Sequence, residues 1–442
     1  MGQELRTGTA QRVRDIVVRA QAAGRVPSLV AGVVRGGALV YSCGAGDPPA
    51  PDPETQYRIG SISKSLTAAV VLALRDRGAL TLDEPLATHL PEAGVDVGAL
   101  SLRQLLGHIG GLQREPDGPW WERSAGDDLA ALLARVGPDK LGLPAYRGYH
   151  YSNLAYGLLG GVIARVTGAD WMTAIRERLL DPLGMGRTAY TPSEPFARGY
   201  VVHPWQGTLR EEPRHDAGAM APAGQLWSTV PDLARWAAFI ADPDPAVLAP
   251  ASVAAMANPV VVADPDGWTS GYGLGLQLWR RGERVFVGHT GSMPGYLAVI
   301  AVHRPSGTGA VAFANAYTLV GSTIGGLGLS ILEAVLDGEP APPPPSWRPG
   351  VPAPPEVEPL CGRWWWMGRE FEAHWHAGEL MIRGTRAGAE AWRFAAEGAD
   401  RWRGLSGDSD GEILHVLRDD TGAVAALDIA TFIFTRDPLP PD

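Results

Sequence analysis

The chain has 442 residues, 45% of them hydrophobic, and a formal charge of −10. That length and apolar content suit about two or three domains with buried cores. The negative balance leaves no basic footprint for nucleic acid, and no apolar run approaches the roughly 18 to 20 residues of a membrane-spanning helix. The opening residues, Met1-Gly-Gln-Glu-Leu-Arg-Thr-Gly-Thr9, lack the apolar core of a secretory signal. Cys43 and Cys361 stand far apart and are expected unpaired, which with the missing signal suggests a cytoplasmic, reducing location.

A first helix is expected at about 9 to 24, followed by a hairpin, Ser28 to Arg35 and Ala38 to Cys43, turned at Gly36-Gly37. Next comes Tyr57-Arg-Ile-Gly-Ser-Ile-Ser-Lys-Ser-Leu-Thr67. Its Gly60 precedes an apolar run (Leu66, Ala69, Val70, Ala73, Leu74) that stops at Gly78, so Ser61 belongs in the first turn of a buried helix. Residues three apart share a helix face, which lets the Ser61 hydroxyl and the Lys64 amine meet. A serine alcohol needs a base to attack, and lysine becomes one only when burial or a neighbouring cation lowers its pKa. On its own the pattern also describes a helix that starts with serine and carries a surface lysine.

A largely helical middle is expected as far as about Ile240. Within it, Gly148-Tyr-His-Tyr-Ser-Asn-Leu-Ala-Tyr-Gly-Leu-Leu-Gly160 joins a polar aromatic turn to an apolar helix, placing Tyr151 and Asn153 on a loop edge. There Tyr151 could relay a proton as phenol or phenolate, and Asn153 could hydrogen-bond lysine or a substrate amide. The same residues are also an ordinary turn and helix cap.

Strands return at about Gly271 to Arg280, Arg284 to Gly288, Leu297 to His303 and Gly309 to Asn315, before a helix near Thr323 to Leu336. Val285-Phe-Val-Gly-His-Thr-Gly-Ser-Met-Pro-Gly-Tyr296 reads as a strand entering a glycine-rich segment. A strand edge ending this way can present backbone N–H groups to a carbonyl oxygen, or simply turn. The order of elements implies an α+β fold: an antiparallel sheet packed by helices beside an all-helical subdomain.

Residues 338–357 are proline-rich and read as a stiff linker between a domain at 1–337 and another at 358–442. Beyond it lie eight short strand candidates at regular spacing: Gly362 to Trp366, Phe371 to His376, Glu379 to Arg383, Ala391 to Ala395, Arg401 to Leu405, Glu412 to Arg418, Ala423 to Leu427 and Thr431 to Thr435. They favour a small antiparallel barrel. Its tryptophans at 364, 365, 366, 375, 392 and 402 suit core or interface packing better than a ligand surface.

Ser61-x-x-Lys64, Tyr151-Ser-Asn153 and His289-Thr-Gly291, in this order, resemble the serine beta-lactamase and penicillin-binding-protein superfamily, in its class C, D-aminopeptidase and esterase branch. Leu105-Leu-Gly-His-Ile-Gly-Gly-Leu112 and Pro222-Ala-Gly-Gln-Leu-Trp-Ser-Thr229 are similar to further elements of that superfamily. The C-terminal barrel resembles the lipocalin-like domain carried by some members. The resemblance implies that Ser61 is acylated, that Lys64 and Tyr151 shuttle protons, and that Asn153 orients Lys64 and the substrate amide. It implies an oxyanion hole formed by the Ser61 and Ser292 N–H groups, with Thr290 and Gly291 on the substrate-lining strand. His289 stands where many members carry lysine, and would meet Tyr151 or a substrate carboxylate. Because histidine can be neutral near pH 7, capture of a free carboxylate is expected to be weaker.

Lacking an export signal, such a chain is expected to handle an intracellular acyl donor. The resemblance extends to penicillin-binding-protein-type thioesterases that cyclise nonribosomal peptides and carry a lipocalin-like domain, which could roof the cleft and exclude water. This ranks cyclisation of a peptidyl thioester, delivered by a synthetase carrier protein, first. A D-peptidase, esterase or beta-lactamase-like hydrolase stands next, and an inactive peptide-binding module last. Trp120 and Trp121, in the loop Gln113 to Arg123, could line an acyl pocket or cover the subdomain core. Gly224 could leave room for a D-side chain or make a tight turn. Arg418 or Arg436 could bind a peptide carboxylate or be solvated. No metal or cofactor pattern is present in the ten histidines and two cysteines.

Overall fold

Along Ser28–Arg35, successive side chains alternate between two apolar faces: Leu29, Ala31 and Val33 enter one core and Val30 and Val34 another. A strand buried on both sides needs helices above and below it. The computed structural model, which describes residues 4–46, 52–319, 321, 323–339 and 350–438, supplies them. Helices Thr7–Gly24 and Ile324–Gly338 cover the first face through Val13, Val17, Leu327, Ile331 and Val335. Helix Val230–Ala241 covers the second with Leu233, Trp236 and Ala237.

The sheet has eight strands, in the spatial order Ala38–Gly46, Ser28–Arg35, Thr308–Ala314, Tyr296–His303, Arg284–Met293, Gln277–Arg281, Ser270–Tyr272 and Val261–Val262. The N-terminal hairpin therefore pairs with a strand almost 300 residues later, with Leu29 opposite Ala314 and Arg35 opposite Thr308. Gly36 and Gly37 turn that hairpin at φ +57° and +80°, the left-handed pair that a tight hairpin favours.

Two expectations about strands need correction. The stretch from Gly271 to Arg280 is two strands, Ser270–Tyr272 and Gln277–Arg281, because Gly273-Leu-Gly-Leu276 turns the chain, with Gly273 N–H bonded to Leu276 O at 2.8 Å. The strand beginning at Arg284 does not stop at Gly288 but runs through His289-Thr-Gly-Ser to Met293, held in register by Tyr296–His303.

Between the two halves of the sheet lies the expected helical region, with helices Ser63–Asp76 and Asn153–Thr167 at its centre. Every residue from Ser63 to Leu74 is buried.

The chain divides into two compact units, Met1–Ala341 and Pro342–Asp442; of the proline-rich segment, residues 340–349 lie outside the described residues. The second unit is a closed antiparallel barrel of eight strands, from Gly362–Trp366 to Phe432–Thr435, closed by Trp365 opposite Thr435. Trp364 and Trp402 pack in its core with Phe394, Leu414 and Leu427. Trp366 and Trp392 instead line a recess of about 440 Å³ with Phe371, Phe432 and Phe434. Cys43 and Cys361 are free thiols.

Candidate active site

Ser61 lies in a single 3-10 turn, Gly60–Ile62, that leads into helix Ser63–Asp76. The turn sits against the extended strand at Gly291-Ser292, and two glycines permit the approach. A Cβ on Gly60, whose φ is +52°, would fall 2.5 Å from Ser292 N, and one on Gly291 would fall 1.8 Å from Ile59 O and 3.2 Å from Ser61 N. Strand pairing explains why this edge is open. Gln277–Arg281 follows the Arg284–Met293 strand only as far as Gly288. Past that point the Thr290 N–H is taken by the Gln277 side chain at 3.0 Å. Amides two apart on a strand point to the same edge, so the Ser292 N–H faces the turn that bears Ser61.

Lys64 is fully buried. Its Nζ lies 2.9 Å from Ser61 Oγ, 2.6 Å from Asn153 Oδ1 and 2.7 Å from the Ala223 carbonyl oxygen. Burial, opposed by the charges of Glu115 and Glu122 and assisted by Arg114, brings its pKa down from 10.5 to about 7. A neutral amine has two N–H donors and one lone pair. Asn153 Oδ1 and Ala223 O are acceptors without a proton to give, so they take the two donors and the lone pair is left for the Ser61 hydroxyl.

Asn153 opens helix Asn153–Thr167 behind the N-cap Ser152, whose side chain accepts the Ala155 N–H at 3.0 Å. The helix start, rather than a loop edge, carries Asn153 into the core. Tyr151 precedes the cap, its ring 4.9 Å from Lys64 Nζ. Burial raises the Tyr151 pKa well above its ordinary value, and a hydrogen bond with Ser61 counters only part of this. Between the two protonation forms open to Tyr151, burial favours the phenol, just as it favours the neutral amine of Lys64.

His289 lies beside Tyr151 as expected, with the ring centroids 6.4 Å apart, but its ring nitrogens bond elsewhere. It is fully buried; its Nδ1–H donates to the Thr290 carbonyl oxygen and its Nε2 accepts the Tyr272 hydroxyl at 3.0 Å. Burial, with the Lys64 charge nearby, pushes its pKa down to about 3. Both ring nitrogens are occupied and the ring is neutral. Tyr272 stands on the short hairpin strand that the sequence reading merged with its neighbour. It packs with His108, Tyr149 and Tyr151 in a cluster of rings beneath the lysine.

The remaining sequence-selected residues separate clearly. Thr290 gives both its N–H and its hydroxyl to Gln277 Oε1. Trp120 is 55% exposed, and its Nε1 donates to Glu122 at 3.0 Å. Trp121 is buried, and its Nε1 donates to Glu115 at 2.8 Å. Gly224 ends the single helical turn Ala221–Gly224, and a Cβ there would meet Met293 Sδ at 3.1 Å and the Trp121 ring at 3.3 Å. In the barrel unit, Arg418 bonds Asp400 at 2.8 and 2.9 Å. Arg436 lies 3.7 Å over the Trp364 ring and donates to the carbonyls of Pro359, Cys361 and Arg363. Local partners thus take both guanidinium groups.

Three residues at the site escaped the sequence reading. Glu115 accepts the Asn153 side-chain amide, Gln277 holds Thr290, and Tyr272 holds His289. For Glu115 the loop that follows Leu105–Leu112 was marked as a region, but its partner, 38 residues away, was not.

The Beta-lactamase family model matches residues 13–323, a stretch that holds Ser61, Lys64, Tyr151, Asn153 and His289, and the model described as Domain of unknown function (DUF7586) matches residues 353–436. Beta-lactamase-like protein 2 of Dictyostelium discoideum is 27% identical over 57% of this chain and 48% of its own, so the chain spans about half the length of that curated relative. A D-stereospecific amidohydrolase from Streptomyces sp. is 25% identical, with a TM-score of 0.64 over 75% of this chain and 99% of its own. SurE, also solved with D-Leu, is 25% identical with a TM-score of 0.61 over 97% of this chain and 99% of its own. The chain belongs to the Beta-lactamase family, within the superfamily of serine beta-lactamases and penicillin-binding proteins, and carries a lipocalin-like barrel behind that domain.

Proposed function

We propose that this chain is a serine acyl-enzyme acyltransferase that takes a peptidyl ester or thioester at a D-configured residue and releases it to an amine of the same substrate, closing a ring. The observation that carries the acylation half is the buried Lys64 Nζ, 2.9 Å from Ser61 Oγ and within reach of two further acceptors, Asn153 Oδ1 and Ala223 O, which in the neutral amine leaves its lone pair for the Ser61 hydroxyl. Ser61 Oγ attacks the carbonyl carbon while its proton passes to Lys64 Nζ. The oxyanion is held by the N–H groups of Ser61 and Ser292. Lys64 then returns the proton, through the Tyr151 hydroxyl, to the leaving thiol or alcohol as its bond to carbon breaks.

The likeness to SurE, a protein also solved with D-Leu, runs along nearly the whole chain and supports a donor that carries a D-configured residue. The likeness to a D-stereospecific amidohydrolase favours a second reading, in which water releases the acyl group. A linear peptidyl thioester mimic ending in a D-residue, run beside its L-epimer and resolved by mass spectrometry, separates the two. Loss of the leaving group without gain of water, for the D-form alone, is the expected result. Hydrolysed acid alone selects the second reading, and equal covalent labelling of wild type and Ser61→Ala refutes both.

A further inference from the structure

The side-chain amide of Asn153 has two ends of nearly the same shape and opposite character, an oxygen that accepts and a nitrogen that donates. Packing cannot tell them apart. The end that faces Lys64 is therefore chosen by whatever meets the other end. Here Asn153 Nδ2 is 2.8 and 2.9 Å from the two carboxylate oxygens of Glu115, and an ionised carboxylate only accepts. Turned over, the amide would set oxygen against carboxylate and its N–H bonds against Lys64 Nζ, losing both favourable contacts together.

We propose that Glu115 is a positioning residue for Ser61 acylation, holding the Asn153 amide so that its oxygen, and through it the Lys64 amine, stays aligned on Ser61. The inference rests on the acyl-enzyme reading above. The carboxylate is itself held. Trp121 Nε1 donates to Glu115 Oε2 at 2.8 Å, and the Trp121 ring lies against Gly224.

The main chain repeats the arrangement. Gln113 Nε2 donates to the Glu115 carbonyl, Ser152 Oγ to the Gln113 carbonyl at 2.7 Å, and the Asn153 N–H to the Arg114 carbonyl at 2.7 Å. Segment 113–115 is thus stitched to the start of the helix whose amide it orients. Glu115 also heads the charges that hold the Lys64 proton on; Glu122 acts with it and Arg114 against it. The other titratable groups around the amine are the Tyr151 and Tyr156 rings at 4.9 and 5.6 Å, and His108 and His289, which burial keeps neutral.

The test is the pH profile of kcat/KM for a neutral activated ester, measured for wild type, Glu115→Gln, Glu115→Asp and Ser61→Ala. Glu115→Gln keeps the size but removes the charge and the acceptor-only character. It is expected to lower the plateau roughly 10- to 100-fold, the scale of loss from a misplaced catalytic group. Its acid limb should also move to lower pH, because Lys64 loses the anion that held its proton. Glu115→Asp, with the charge retained, should lose rate while its limb stays nearer the wild-type position. Superimposable profiles for wild type and Glu115→Gln would overturn the inference. So would a lowered plateau with the limb unmoved, which assigns Glu115 to structure alone. Full activity in Ser61→Ala would overturn the acyl-enzyme reading instead, and this inference with it.

Discussion

Lys64 makes the stability of the catalytic unit depend on pH in a direction opposite to that of the buried tyrosines. In the folded chain its pKa is about 7, against 10.5 for the free side chain. Stability rises with pH wherever the unfolded chain binds more protons. Between those two values the unfolded chain keeps a proton that the folded chain has lost. Below about pH 7 both states are protonated and the full penalty of burying the charge is present; as pH rises it is relieved. Integrated from pH 7 to 9.5, one such site gives about 3 kcal/mol at 1.36 kcal/mol per unit. The window ends there because Tyr57, Tyr151 and Tyr272, held protonated by burial, act the other way once free tyrosines ionise. Lys64→Met retains the volume and the tyrosines but removes this site, so the difference between the two proteins isolates it. The assay is urea unfolding read by hydrogen exchange in peptides from helix Ser63–Asp76, which keeps the barrel unit out of the signal. Wild type should gain about 3 kcal/mol relative to Lys64→Met over the window. Parallel curves, differing by less than about 1 kcal/mol across it, would refute a neutral buried lysine.

Gly60→Ala places a methyl group 2.5 Å from Ser292 N at a positive φ. It should destabilise the unit by at least about 2 kcal/mol and abolish acylation, both measurable by urea titration and ester turnover; an active, stable variant would show that the turn and the strand can part. In the barrel, Arg436→Met removes a guanidinium stacked on Trp364 and bonded to three carbonyls. A loss of about 1 to 2 kcal/mol is expected, read as faster hydrogen exchange in Gly362–Trp366, whereas unchanged exchange would mean that these bonds add nothing in water.

The pair Ser61 and Lys64 was legible because a spacing of three puts them on one face and two later motifs gave that face a chemistry; Asn153 was legible as a partner of the lysine but not as the first residue of a buried helix. The barrel strands were legible because turns recur at short intervals among alternating apolar residues. Tyr272 was not, since Gly273-Leu-Gly-Leu276 hides a hairpin inside what reads as one apolar run. Glu115 was hidden for another reason: its partner Asn153 is 38 residues away, and nothing in a loop's local pattern encodes which distant amide it will meet. The same holds for His289. The strand was read as ending at Gly288, one residue short of it, and the identity of its partner depended on the hairpin that was missed.

The pairing of Ser28–Arg35 with Thr308–Ala314 has a consequence for the order in which the protein comes into being. Ser61 and Lys64 are synthesised early, yet the strand that packs against their turn ends at Met293 and the sheet closes only with Ala314. At about 5 to 20 residues per second, the nucleophile waits on the order of 10 to 50 seconds for its surroundings. During that interval the edge of Ser28–Arg35 is unpaired, and the hairpin face that helix Val230–Ala241 covers stays open until that helix is made, so this hairpin is a segment of the nascent chain that needs shelter. A chain released before Met293 holds the reactive serine and its lysine without the strand that completes the site around them.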